Sequence, residues 1–476
     1  MSAKPSNRRR WQALAAALLL GGCMVGPDYQ RPAVDLPTAY PGAAAVAPGA
    51  AALRNDWWTL FGDAALNDFV ATALANNSNV QRAVARIDEA DANLRAVDAS
   101  LYPEVGLNGA AARSRLSREI AFPPPPGAQV YSDLRLALSA SFEIDFWGKL
   151  RRGSEAARAQ ALSSRYASDV VMLSLAGLTT QTYFSLRALD AQIATTRSTL
   201  ATRTDGLALV RRRVDAGYAS DLDLRQAEGA TTDASAQLKE LIRLRALAEH
   251  LLGVLTGRLD LVVAPGDIAR LPLPPLPPPD LPSTLIERRP DVRVAEQALI
   301  AENALVGVAV ARRFPSISLT GSYGGESEAL ASLFSGPGRI WAAGVGLTAP
   351  VFNAGRLAAL ADAERARYQQ ALATYDQTIQ NAFREVADAL SNVAQFAATE
   401  TDLQASVNSA REALRLATRR YEAGYSGYLE VLDSQRSANV SELLVIRNRQ
   451  VLLGAEVDLM TALGGGWLPK DASAAR

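Results

Sequence analysis

Apolar residues recur along this chain with two different periods, and the two alternate in order. Leu186, Ile193, Leu200, Leu207 and Val214 fall seven apart, with Leu189 and Val210 at intermediate positions. Val393, Phe396, Leu403, Val407, Leu414 and Ala417 repeat that seam later in the chain. A sustained 3.5-residue period packs helices side by side with a left-handed supercoil. The proline-free stretches around the seams predict long helices over 149–215 and 356–421, with return helices over 221–255 and 428–463. Each long helix would span about 100 Å, far more than a globular domain requires.

Elsewhere the period drops to two. Leu134, Leu136, Leu138, Ala140, Phe142, Ile144 and Phe146 alternate with Asp133, Arg135, Ala137, Ser139, Ser141, Glu143 and Asp145, which predicts a strand over 133–146. That is longer than a usual soluble strand. Trp341, Ala343, Val345, Leu347, Ala349 and Val351 give a second such face, and Ile317, Leu319 and Tyr323 a third, within a strand region over 316–352. The strand over 105–113 has the faintest pattern. One apolar face, one polar face and ten or more residues suit the wall of a membrane barrel. An antiparallel sheet on a soluble core fits the same alternation.

The two helical pairs turn on nearly the same sequence. The first tip is Arg212-Arg213-Val214-Asp215-Ala216-Gly217-Tyr218, and 207 residues later the second is Arg419-Arg420-Tyr421-Glu422-Ala423-Gly424-Tyr425. Self-similarity on this scale means one unit built twice. Asn79-Val80 aligns with Asp291-Val292 and Tyr102-Pro103 with Phe314-Pro315 at an offset of 212, whereas Gly148-Lys149-Leu150 aligns with Gly355-Arg356-Leu357 at 207. The difference falls between the paired strands, at Phe122-Pro123-Pro124-Pro125-Pro126-Gly127 and Ser335-Gly336-Pro337-Gly338, both loop-forming. The organisation expected is an N-terminal signal over 1–22, an extended segment over 23–62 and a first repeat over 63–264. A proline-rich linker over 265–282, a second repeat over 283–463 and a tail over 464–476 follow. Each repeat opens on a helix, over 64–100 in the first and 291–312 in the second.

Lys4, Arg8, Arg9 and Arg10 precede an apolar run from Trp11 to Leu20, the pattern of a secretory signal. Leu20-Gly21-Gly22-Cys23 closes it and resembles the bacterial lipobox, in which the cysteine takes a diacylglycerol and becomes the new N-terminus. Cys23 is the chain's single cysteine, so no disulfide framework is expected. Met24, rather than Asp, follows it, which by lipoprotein sorting implies the outer membrane. Without the signal the chain has 45 Lys+Arg against 49 Asp+Glu, mildly acidic and without a basic stripe for nucleic acid. Beyond the signal no apolar run of about 18 residues is seen, so a membrane would have to be crossed by strands. Four strands leave two bare edges, and in lipid each unpaired backbone group costs several kcal/mol. Closure needs more than one chain. Eight strands leave barely room for side chains, whereas twelve, from three chains, leave a channel.

Cys23-Met24-Val25-Gly26-Pro27-Asp28-Tyr29-Gln30-Arg31-Pro32 and Trp57-Trp58-Thr59-Leu60-Phe61-Gly62-Asp63-Ala64-Ala65-Leu66 resemble the opening of the lipoprotein outer membrane efflux factors, the TolC-like family. The two tips and Tyr428-Leu429-Glu430-Val431-Leu432-Asp433-Ser434-Gln435-Arg436 are similar to that family's periplasmic ends. The resemblance covers essentially the whole mature chain. It implies a mainly α chain with a β-barrel portion, forming a homotrimer whose 12-stranded outer membrane barrel continues into a periplasmic α-helical coiled-coil barrel with a mixed equatorial region. It also implies partners: outer membrane lipid, a periplasmic adaptor, and an inner-membrane pump of the resistance-nodulation-division class. Small molecules such as drugs would leave through it passively.

No reaction centre or cofactor is expected besides the lipid on Cys23. His250 is the only histidine and reads as a structural or solvated helix residue. Gly344-Val345-Gly346-Leu347-Thr348-Ala349 matches the loose dinucleotide pattern but lies in a strand and meets Pro350. The expected work is that of a gate. Gly217 and Gly424 can take the positive φ of a chain reversal, and Ala216, Gly217, Tyr218, Ala423, Gly424 and Tyr425 form tips where an adaptor would dock. Leu429 and Asp433 are four apart on one helix face and by symmetry would form an apolar ring beside a carboxylate ring. By resemblance they match the family's aperture constriction, and Arg420 and Tyr421 match residues that tie neighbouring helix pairs shut. Asp221, Leu222 and Asp223 occupy similar ground in the first repeat. Charges that merely solubilise a helix end would look the same. A pore-free lipid-anchored scaffold, or a channel that secretes proteins, remains open at this point.

Overall fold

The computed structural model of the chain describes residues 24–41, 54–123, 125, 127, 130–275 and 287–466. Cys23 and four of the linker's eight prolines lie outside these. The helices are α1 (Ala64–Asn76), α2 (Ser78–Ala99), α3 (Lys149–Asp215), α4 (Asp221–Thr256), α5 (Pro290–Ala311), α6 (Arg356–Glu422) and α7 (Tyr428–Ala462). The strands are β1 (Glu104–Arg115), β2 (Val130–Ile144), β3 (Ser316–Ser327) and β4 (Arg339–Thr348). The chain forms two units. One comprises Met1–Ala33, Arg86–Ser164 and Ala295–Tyr375, the other Val34–Ala85, Arg165–Val294 and Asp376–Arg476.

The first unit holds the sheet, whose order is β1-β2-β3-β4, antiparallel throughout. Registers carry the alternation across all four strands: Leu107 opposes Leu138, Leu138 opposes Tyr323, and Tyr323 opposes Trp341. Phe142, Leu319 and Val345 make a second row, and Ile144, Ile317 and Leu347 a third. These side chains share one face, and many are exposed. The opposite face is polar, with Asn108 donating to Ser139 Oγ at 2.6 Å and Arg135 set 3.8 Å from Glu326. Among the described residues β1 and β4 each have a strand partner on one side only.

Two strand ends differ from expectation. β4 stops at Thr348, not Phe352, because Pro350 has no N–H for the ladder and Ala354 and Gly355 turn through positive φ. β2 runs from Val130 to Ile144, not to Phe146. Asp145 is drawn instead to the start of α3, accepting from Leu150 N at 3.1 Å and Arg151 N at 2.9 Å.

The extended segment after Cys23 is fixed to this unit. Val25 N donates to Trp147 O at 3.1 Å, and Asn303 to Pro27 O at 3.0 Å. Arg152 meets Asp28 at 2.5 Å, and Arg31 donates to Glu296 through Nε and Nη2 at 2.6 and 3.1 Å. Gly26 lies so close to Gly307 that a Cβ would stand 2.6 Å from the Gly307 Cα. Ala156 and Ala159 of α3 pack on Ala301 and Ala304 of α5. α5 has 22 residues and an 18-residue window of mean hydropathy 1.4, so among the described residues one helix is long and apolar enough to cross a membrane, contrary to the sequence expectation. It carries Glu296, Glu302 and Asn303, and over half of its apolar window is buried in protein.

The second unit has an aromatic core. Trp57, Phe61, Leu66, Phe69, Tyr183, Phe184 and Leu186 cluster with Leu453, Val457 and Met460. Phe61 meets Phe184 edge-on with centroids 4.9 Å apart. Asp63 caps α1 through Ala65 N and Leu66 N and accepts the Tyr183 hydroxyl at 2.7 Å. The predicted single helix over 64–100 is broken at Asn77, whose backbone is extended. Its side chain accepts from Asn79 N at 2.8 Å and donates to Leu255 O at 2.9 Å, so it starts α2 and ties that start to the end of α4.

The irregular chain that leads into the linker is fastened by side chains. Arg245 donates to Val263 O, Arg187 to Ala264 O, Glu249 accepts from Val263 N and Asp190 from Gly266 N, all within 2.6–2.9 Å. A ribbon without sheet partners thus has its backbone groups satisfied by α3 and α4.

Candidate aperture and hairpin tips

Both hairpins reverse through the same hydrogen-bonded turn. At the first, Gly217 has φ 78° and Tyr218 N reaches back to Arg213 O at 2.7 Å; at the second, Gly424 has φ 79° and Tyr425 N reaches Arg420 O at 2.8 Å. Gly217 N to Val214 O and Gly424 N to Tyr421 O complete the glycine-terminated helix cap. A Cβ on either glycine would touch nothing, so the glycine requirement is one of backbone conformation. Tyr218 and Tyr425 stand 85% and 80% exposed, and Ala216 and Ala423 are also exposed.

Beyond the turns the repeats part company. Ser220 and Asp223 form a reciprocal cap: Ser220 Oγ accepts from Asp223 N at 3.2 Å, while Asp223 accepts from Ser220 N at 3.1 Å. Asp223 therefore fastens the start of α4, with Asp221 and Leu222 exposed beside it. At the matching place in the second repeat Gly427 offers no side-chain cap. The first residue of α7, Tyr428, is instead buried against Tyr421, with ring centroids 5.2 Å apart, and both join Val210, Ala227 and Val431. The Arg213 guanidinium sits 4.5 Å over the Tyr421 ring and donates to Tyr421 O at 3.4 Å. Within the protomer Tyr421 thus binds the second hairpin to the first. Arg420 pairs with Glu430 at 3.1 Å across its own turn.

Leu429 is 61% exposed and Asp433 is exposed one turn on, so the structure brings them onto one open face of α7. Arg436 donates to Asp433 at 2.7 Å, a neutralising neighbour that the sequence reading passed over although the i,i+3 spacing was visible. Tyr428 was also missed as a packing residue, because the reversal at Gly424 separates it from Tyr421 and leaves no periodic signal between the two. Burial raises the Tyr428 pKa, with Tyr421 adding to it and Arg203 opposing.

His250 is exposed on α4. Arg289 walls a cavity of about 560 Å³ with Arg384, Asp388 and Asp458. Its polar groups are matched to one another: Arg289 to Asp291 and Glu385, Arg384 to Asp388, Gln181 to Asp458. Among the described residues no group of three or more His, Cys, Asp or Glu side chains is placed to hold a metal ion.

An antiparallel sheet with open edges and an apolar outer band, on a chain whose coiled-coil hairpins share one tip design, defines a protomer of the outer-membrane channel class. Comparison with known proteins agrees. The model of the family described as outer membrane efflux protein matches residues 70–258 and 281–465, one stretch in each repeat. Outer membrane protein OprJ of Pseudomonas aeruginosa is 38% identical over 463 residues, covering 96% of this chain and 95% of that one. The Campylobacter jejuni CmeC outer membrane channel superposes with a TM-score of 0.89 at 23% identity, over 95% of this chain and 97% of its own. The open state of the Neisseria gonorrhoeae MtrE outer membrane channel gives 0.81 at 28% identity, over 94% and 99%. The chain belongs to the outer membrane efflux protein family. Its fold is that of the TolC-like trimeric channels, and it is a component of the bacterial outer membrane.

Proposed function

We propose that three copies of this chain form the exit duct of a tripartite efflux system, taking small toxic compounds from an inner-membrane pump of the resistance-nodulation-division class through a periplasmic adaptor. The observation that carries this reading is the sheet. Its outer face is a continuous apolar band while β1 and β4 have open edges, a combination tolerable in lipid only if the edges pair with those of other copies. The relatives are efflux channels, which favours small-molecule export over protein secretion or a pore-free scaffold. Cys23 carries the lipid. The tips at Ala216-Gly217-Tyr218 and Ala423-Gly424-Tyr425 receive the adaptor.

Leu429 and Asp433, from three copies, form the aperture, with Leu222, Asp221 and Asp223 flanking it. Arg420 and Tyr421 hold the hairpins at rest. MtrE has been solved in an open state, so a resting closure that the adaptor releases is in keeping with the family. The test is single-channel conductance in planar bilayers: Leu429→Ala combined with Asp433→Ala raises it, and wild-type conductance in that variant puts the aperture elsewhere. Particle mass in detergent checks the trimer, which a single-chain particle would refute.

A further inference from the structure

Four buried polar atoms without hydrogen-bond partners lie on the residues that join the two hairpins near their tips: the hydroxyls of Tyr421 and Tyr428, Gln435 Oε1 and Arg203 Nε. Tyr428 and Gln435 are seven apart, hence on one face of α7. Arg203 lies on α3, where Nη1 donates to Ala230 O of α4 at 2.7 Å and leaves Nε without a partner. Next along α3 is Gly206, and a Cβ there would stand 2.8 Å from the Tyr428 hydroxyl but 3.9 Å from the ring carbon bearing it. The absent methyl at Gly206 is therefore the space the phenolic oxygen fills. Further along the same seam Thr199 donates to Asn439 at 3.0 Å.

The repeats differ here in a directed way. At the position equivalent to Tyr428 the first repeat has Asp221, and at that equivalent to Gly206 the second has Ala413. Knob and notch thus occur once per chain, and the α7 start they hold is the one that lacks a side-chain cap.

We infer that Gly206 and Tyr428 form a latch between the two hairpins of one protomer, set to hold closed yet release readily because its hydroxyl is seated without a hydrogen bond. The inference rests on the aperture reading above, since Tyr428 adjoins Leu429 and carries the first turn of α7 with it. The tyrosine ring is buried against Tyr421 and Val210, so it cannot swing aside alone when the notch is filled. Gly206 is a positioning residue that touches no cargo.

The experiment is bilayer conductance of the full-length protein for four forms. Gly206→Ala drives the α7 start off its seat and raises the open-to-closed ratio about tenfold, the lower range of what overpacking a filled contact produces. Tyr428→Phe removes the unpartnered hydroxyl and lowers the ratio. The double variant returns close to wild type, because the ring carbon at 3.9 Å leaves room for the methyl. Thermal unfolding of Gly206→Ala stays close to wild type, since alanine's helix preference largely offsets the overpacking, which separates unlatching from misfolding. Wild-type conductance in Gly206→Ala, or raised conductance that Tyr428→Phe fails to reverse, overturns the inference. Leu429→Ala with Asp433→Ala is measured alongside: if it is silent while Gly206→Ala responds, the latch stands and the aperture residues are others.

Discussion

Glu456 offers the sharpest test of how this fold is held. It lies on α7 at 3% exposure, among Leu452, Leu453, Val457 and Met460, with one carboxyl oxygen lacking any partner. Burial is the largest effect on it and pushes its pKa from 4.5 up to about 8; Arg449 opposes this and Glu400 adds to it. Arg449 is itself engaged, 3.3 Å from Glu400 and donating to Leu271 O at 2.7 Å. Between about pH 4.5 and 8 the folded chain keeps a proton that the unfolded chain has released. The stabilising contribution is therefore complete below the unfolded pKa and is lost as pH rises through the folded one. At about 1.4 kcal/mol per pH unit the whole interval caps the loss at about 5 kcal/mol, of which about 3 falls between pH 6 and 8. With an unfolding entropy of about 2 cal/mol/K per residue, a chain of 476 residues drops about 1 °C for each kcal/mol. Glu456→Gln keeps the shape of the neutral acid and removes the titration. Thermal unfolding in detergent from pH 6 to 8 should lower the wild-type Tm about 3 °C more than that of the variant. Parallel pH profiles would refute the reasoning, because Asp458 and Glu302, also raised by burial, titrate in both proteins and cancel in the difference.

Arg289 is buried and holds Asp291 through two contacts of 3.0 and 2.6 Å, Glu385 at 2.8 Å and Ala462 O at 2.9 Å. Arg289→Ala should cost about 1–3 kcal/mol, because Ala462 O loses its donor while the part-exposed Asp291 and Glu385 can turn to water, and Arg289→Lys should recover only part because the fork is lost; thermal unfolding reads both. Valine at Gly217 or Gly424 forces a β-branched residue to positive φ, costing about 1–2 kcal/mol locally, and should abolish drug export in a susceptibility assay with assembly and membrane insertion intact. Cys23→Ser should lose palmitate in metabolic labelling and weaken membrane retention.

Much of the fold was legible because each element announced its period over many residues. The α3 bounds coincide with the proline-free seam, and the strand alternation that marks Leu134 to Ile144 is the row structure seen in the registers. The places where the pattern misled are those where a side chain competed with the backbone. Asn77 made its own cap inside an unbroken helical pattern, and Asp145 left a strand to start a helix. Neither act changes hydrophobic periodicity, so neither leaves a trace in it.

The site was legible in part for the same reason. Glycines at the tips declare a reversal, and the spacing of Leu429 and Asp433 declares a shared face. What the sequence could not declare is which partner a residue meets across the hairpins. Tyr421 was expected by resemblance to tie helix pairs together, but nothing in the sequence named Arg213, 208 positions earlier, as the group against its ring. The buried arginines show the same limit. Arg187, Arg245 and Arg449 each donate to a carbonyl of the linker region, at Ala264, Val263 and Leu271. Those carbonyls belong to irregular chain with no repeating signal, and any residue type presents the same oxygen. The guanidinium nitrogens that serve these backbone acceptors have no complementary letter in the sequence, although the same arginines also meet carboxylates that do, Asp190 three positions from Arg187 and Glu249 four from Arg245.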